Sequence, residues 1–329
     1  MTTLVFPAST PDAWAFIAEA RARGEPVLPA ASVAVSEVTR RFGELVQLPF
    51  IHDAGFEARF LALLRERQID RIVCPVAVVH RFVGRLLSEK AVQGVRLIGE
   101  SPIGRQVRLV GEAVAQGESV MPFVAACADG RPHLDVLSTA AVLRHAAAVY
   151  GESDPDKLAA MVGVFADVPT GGDVVEIGAL MGRTAFLLLA LARRHRLGPV
   201  LVVDPWSAEH ALQKDSPVAL QELDNDWGDH ERLVQGFLLN LLPFTAGGDF
   251  NYLRLPSHLG HARYRESGEA VSPEFGRTRY SRRIAMLHID GNHDADAVQQ
   301  DCALWLPHLA PGGWLILDDY VWAHGDGIV

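Results

Sequence analysis

The stretch Asp173-Val-Val-Glu-Ile-Gly-Ala-Leu-Met-Gly-Arg-Thr, running on into Ala185–Arg194, narrows the choice of fold more than any other part of the chain. Its apolar start predicts a buried strand, its glycines a turn, and the apolar segment after them a helix. A strand, a glycine turn and a helix in that order open one unit of a doubly wound α/β sheet. Gly178 and Gly182 allow a backbone to come close to a ligand, and the helix that follows, with Thr184 at its start, offers unpaired N–H groups to a polar or anionic group. Glu176 falls at the carboxyl end of the strand, where open α/β sheets bind their ligands.

Two further segments fall into step with this one. The dinucleotide fingerprint GxGxxG is not met, because the glycines stand at Gly178 and Gly182. The next strand, Pro199–Val203, ends in Asp204, about 20 residues past the turn, where a carboxylate is able to accept both hydroxyls of a ribose. Further on, an apolar run from Ile284 ends in Asp290, a helix passes through Trp305, and a Pro-Gly-Gly turn leads to a strand ending in Asp318 and Asp319. Three carboxylates are thereby set at the carboxyl edge of neighbouring strands, the kind of oxygen cluster that holds a hard cation. His293, on the loop after Asp290, is within reach of the same pocket and is a suitable base near neutral pH. His288 reads as a hydrogen-bonded core residue, and Trp206 as a core residue close enough to Asp204 to touch an adenine.

On these residues the C-terminal half resembles the class I S-adenosylmethionine-dependent methyltransferases, and within them the macrocin-type O-methyltransferases that act on sugar hydroxyls. The segments that carry the resemblance are VVEIGALMGRTA, VVDPW, HIDGNH with Asp301 and Trp305, and LAPGGWLILDDY. It implies S-adenosylmethionine bound through Glu176, Gly178, Gly182, Thr184 and Asp204. It also implies Mg²⁺ held by Asp290, Asp318 and Asp319, and a substrate proton taken by His293 or Asp290. The acceptor it implies is a small-molecule hydroxyl. Two departures stand out: a long polar stretch between Pro256 and Arg283, expected as a lid or a solvated loop, and an early C-terminus at Val329, where the usual fold goes on to a further helix and hairpin.

The chain has 329 residues, which suits two domains of the usual ~100–200 residues. Alternating strands and helices over the first hundred residues predict a mostly parallel sheet covered on both faces. With LVQLPFIHD, ERQIDRIVCP and VRLIGESP, this part resembles weakly the nucleotide-fold domain that precedes the catalytic part of ATP-grasp ligases. The expected architecture is therefore two doubly wound α/β domains: an auxiliary domain at 1–105, a connecting region and helix at 106–150 with a hairpin near Ala128–Pro132, and the methyltransferase-like Rossmann domain at 151–329. Two other functions stay open at this point, an ATP-dependent ligase or transferase using the first domain, and a noncatalytic module that binds S-adenosylmethionine.

A net charge of −10 argues against a nucleic-acid partner, and the arginines at 277, 279, 282 and 283 read as a solvated surface. No apolar run approaches the ~20 residues that span a bilayer, so no membrane partner and a cytoplasmic location are expected. Cys74, Cys127 and Cys302 show no disulfide or metal spacing. A homo-oligomer is left open.

Overall fold

In the computed structural model of the chain, residues 1–211, 214, 228–245 and 247–318 are described. The chain divides into two compact units, Met1–Glu112 and Ala113–Val329. The first holds strands β1 (Thr2–Val5), β2 (Val27–Ala31), β3 (Val46–Gln47), β4 (Ile69–Val73) and β5 (Arg96–Leu97), in the order β3-β2-β1-β4-β5. Every neighbouring pair is parallel. Parallel strands need crossover connections, and helices supply them on both faces. Leu4 and Phe6 pack with Phe56 and Phe60 on one side, whereas Val5 packs with Ile17 and Val38 on the other. The helix Ser36–Phe42, at 7 residues, is too short to give a periodic signal in the sequence.

The connecting region differs from expectation. Pro102–Cys127 is one helix of 26 residues, followed by a turn in which Arg131 N–H donates to Ala128 O at 3.0 Å, with no hairpin. Gly111, Gly117 and Pro122 inside the helix mask its pattern. Gly117 has a packing reason: a Cβ there would lie 2.8 Å from that of Ala140.

The second unit contains helices Val136–Ala148 and Pro155–Val164, then strands β6 (Asp173–Ile177), β7 (Val200–Val203), β8 (Phe250–Leu253), β9 (Glu269–Ser272), β10 (Gly276–Arg279), β11 (Ile284–Ile289) and β12 (Leu309–Leu317). Five of these form a parallel sheet in the order β12-β11-β6-β7-β8. Val174, Val200 and Val202 face a core with Phe165, Leu187 and Phe237. Val175, Leu201 and Val203 face the opposite core, with Tyr264 and Trp305. Burial on both faces explains why these strands are nearly unbroken apolar runs.

The polar stretch Pro256–Arg283 is neither a lid nor a loop. It forms the helix Ser257–Ser267 and the antiparallel hairpin β9–β10, fastened to the amino-terminal edge of the sheet. The Tyr264 hydroxyl donates to Asp173 Oδ2 at 2.7 Å, the N–H groups of Ser281 and Arg282 donate to the same carboxylate, and Asn251 Nδ2 donates to Gly276 O at 2.9 Å. Burial pushes the Asp173 carboxyl above its usual pKa, and these donors pull it back. The three cysteines are free, and among the described residues no helix is long and apolar enough to cross a membrane.

Candidate active site

The sheet order reverses at β6, whose neighbours β7 and β11 are reached in opposite directions, and open α/β sheets bind ligands at the carboxyl side of such a point. A cleft of about 1380 Å³ lies there, walled by the loops after β6, β7 and β11 and by Asp318 after β12. Ligand sites commonly occupy ~300–1,000 Å³, so this cleft is larger than one such site needs.

The glycine turn is built for contacts within the chain. Gly178 has φ +81°, and a Cβ on it would stand 2.0 Å from the carbonyl oxygen of Asp290. Its bare backbone lets the loop after β6 pass beneath the loop after β11. Gly182, at φ +87°, likewise leaves room for Leu241 and Phe237 rather than for a ligand. Leu180 and Trp206 both take positive φ, 48° and 42°, a conformation that non-glycine residues keep only when the surroundings hold them. Asp204 supplies that hold. Its Oδ2 accepts from Ala179 N at 2.8 Å and Leu180 N at 3.2 Å, while Oδ1 accepts from Trp206 N at 2.7 Å. Trp206 Nε1 donates in turn to Leu180 O at 2.8 Å. Burial raises the Asp204 pKa against the pull of those three N–H groups. A carboxylate offers about four acceptor positions, so three being taken leaves about one for a ligand hydroxyl.

Trp206 is buried against Phe237 yet borders the cleft, and Thr184 lies at the start of the helix Arg183–His195 on the same wall. Arg183, which sequence reasoning passed over, donates to Val149 O at 2.8 Å and to Ser153 O at 2.9 Å, fixing residues 149–153 as a further wall.

A chain of ionisable groups runs beneath and into the cleft on the side of β11 and β12. Glu176 is fully buried below the cleft, and its Oε1 accepts from or faces His288 Nδ1 at 3.0 Å. Glu176 Oε2 and His288 Nε2 have no hydrogen-bond partner among the described residues, and His288 Nε2 lies 3.8 Å from Asp290 Oδ2. Lys157, from the helix Pro155–Val164, places its Nζ 3.4 Å from Asp290 Oδ2, in contact with Asp318 Oδ2, and 3.3 Å from Ser153 Oγ. Burial, together with neighbouring Asp318, pushes Asp290 well above the usual carboxylate range. At Asp318 burial acts upward too, but the hydrogen bond with Asp290 and the Lys157 ammonium outweigh it and hold the carboxyl at about 2.

The resemblance noted from the sequence implies Mg²⁺ held by Asp290, Asp318 and Asp319. Asp319 lies outside the described residues. Ligand atoms of His288, Asp290 and Asp318 fall within 4.8 Å of one another, a mixed nitrogen and oxygen set, whereas Mg²⁺ prefers oxygen alone. The Lys157 ammonium already touches both carboxylates. Two unit charges at ~4 Å interact by about 4 kcal/mol at an effective dielectric of about 20, so a divalent ion beside that ammonium meets roughly twice this in repulsion. As arranged, these residues do not fit Mg²⁺. His293 lines the cleft beside Asp290, while the N-cap of the helix Ala295–Trp305 is Asp294.

A parallel sheet with β6 at its centre, a glycine turn locked to a carboxylate on the next strand, and carboxylates closing β11 and β12 are the arrangement that the resemblance to class I methyltransferases implies. Residues 175–320 match the family model described as a methyltransferase domain, and the C-terminal unit is an S-adenosylmethionine-dependent methyltransferase. The chain is also similar to a solved structure titled as the O-methyltransferase NovP, with 18% identity, 49% of this chain and 67% of that chain covered, and a TM-score of 0.33. No curated protein matches the chain.

Proposed function

We propose that this enzyme transfers a methyl group from S-adenosylmethionine to a hydroxyl of a small molecule, such as a sugar or another natural product. The observation that supports this most is one cleft, larger than a single ligand needs, with the Asp204-locked turn on one side and His293 beside Asp290 on the other. The cofactor is assigned to the donor side, where Asp204 and Glu209 give the wall a negative character suited to a sulfonium. Asp204, Thr184 and the first N–H groups of the helix Arg183–His195 hold it there.

S-adenosylmethionine brings a methyl group already activated by its sulfonium. The protein's part is to hold the acceptor oxygen in line and to take its proton. Of the two base candidates, Asp290 is engaged by the Lys157 ammonium, so His293, which lines the cleft, serves. No step is assigned to Mg²⁺. The N-terminal unit enters as an auxiliary α/β domain. Labelled S-adenosylmethionine offered with sugar diols tests the proposal: transfer to oxygen is expected, with a loss of about 10²–10⁴-fold in His293→Ala. Full activity in that variant removes the base, and transfer only to amines or thiols removes the hydroxyl acceptor.

A further inference from the structure

We infer that Lys157 is the resident cation of the acceptor side, its ammonium filling the seat between Asp290 and Asp318 that a divalent ion would need, so that methyl transfer by this enzyme requires no metal. The last clause rests on the methyltransferase reading; the occupancy of the seat does not.

Three acceptors surround the ammonium, Asp290 Oδ2, Asp318 Oδ2 and Ser153 Oγ, and an ammonium has three N–H groups to give. The side chain is 14% exposed, so it does not lie loose over the surface. Its stem is fixed as well. Asp154 caps the helix by accepting from Lys157 N at 2.8 Å, Pro155 opens the first turn, and Arg183 holds the carbonyl of Ser153. A lysine on the first turn of this helix thus puts its charge between the side chains of Asp290 and Asp318, brought there by β11 and β12.

The consequence is chemical. An ammonium neutralises carboxylates beside a reacting oxygen, yet it does not draw an acceptor hydroxyl into its coordination shell as a Lewis acid does. Asp290 and Asp318 are then held in position by Lys157, and the acceptor proton passes to a side chain without help from a bound cation. Lys157 is a positioning residue in this scheme.

The test is Mn²⁺ binding to the full chain, read by the electron paramagnetic resonance signal of the free ion, with neither methyl donor nor acceptor present. Wild-type protein is expected to leave Mn²⁺ free, and its methyl transfer to be unchanged by a chelator. Lys157→Gln, which removes the charge and keeps the helix, is expected to bind Mn²⁺ at least roughly tenfold more tightly, and Asp318→Asn added to it to abolish the gain. Wild-type protein that binds Mn²⁺ in a manner lost on Asp318→Asn overturns the inference, as does a folded Lys157→Gln with no gain. If Lys157→Gln does not fold, the wild-type titration decides. Failure of methyl transfer would count against the proposed function and leave the Mn²⁺ result standing.

Discussion

Replacing Gly178 by alanine separates two explanations of the glycine turn. If the glycine makes room for S-adenosylmethionine, the free protein tolerates the methyl group and only cofactor binding suffers. The structure adds a demand within the chain itself, because the added Cβ meets the backbone oxygen of Asp290 at 2.0 Å, and backbone has no rotamer to escape into. The φ of +81° adds strain for any residue with a Cβ. Left-handed strain of about 1–2 kcal/mol and overpacking of about 1–3 kcal/mol together predict a loss of about 2–5 kcal/mol. For a domain of ~150–250 residues that corresponds to a fall in Tm of roughly 4–20 °C. Differential scanning calorimetry without cofactor reads it directly. Gly291→Ala is the control: it lines the same cleft, yet its Cβ would meet nothing closer than 3.6 Å, and a shift under about 2 °C is expected. A Gly178→Ala protein as stable as wild type but unable to bind cofactor would refute the reasoning.

Asp204→Ala leaves three backbone N–H groups without their acceptor and releases Leu180 and Trp206 from positive φ, so a loss of about 2–4 kcal/mol is expected in urea denaturation, smaller for Asp204→Asn; equal midpoints would contradict this. Arg183→Met removes two charged hydrogen bonds to carbonyls and should cost about 2–3 kcal/mol while weakening cofactor binding, with Arg183→Lys failing to restore it because an ammonium lacks the two-pronged geometry; full rescue by lysine would count against the clamp. Asp301 is pushed up to about 6 by burial, against the Ser257 hydrogen bond and His258. A folded pKa above the unfolded value of about 3.9 stabilises the protein fully below that value, and the contribution is lost as pH rises through the folded pKa, to a total of roughly 3 kcal/mol. Asp301→Asn should therefore gain stability relative to wild type between about pH 4 and 7, and a difference independent of pH would refute it.

Much of the second unit was legible because strand and ligand signals coincide in this fold. β6, β7, β11 and β12 are apolar runs ended by a carboxylate or a glycine, and each such end marks the cleft. β8 was not legible: Phe250–Leu253 is short, and its Asn251 looks like a surface residue although it is buried as the anchor of the hairpin. The stretch 256–283 misled because its polar side chains are spent on Asp173 and on strand carbonyls, partners that are remote in sequence. Lys157 gave no signal, since an isolated lysine in the first turn of a helix is ordinary, and only the folding of β11 and β12 puts two carboxylates around it. Glu176 reads as a cofactor ligand from its place near a strand end, whereas in the structure it is fully buried and faces His288.

The measurement closest to the central claim is isothermal titration of S-adenosylmethionine into the full chain. The account predicts one saturable site per chain, competed by S-adenosylhomocysteine and weakened in Arg183→Met. Folded protein that gives no saturable heat at millimolar S-adenosylmethionine would contradict it.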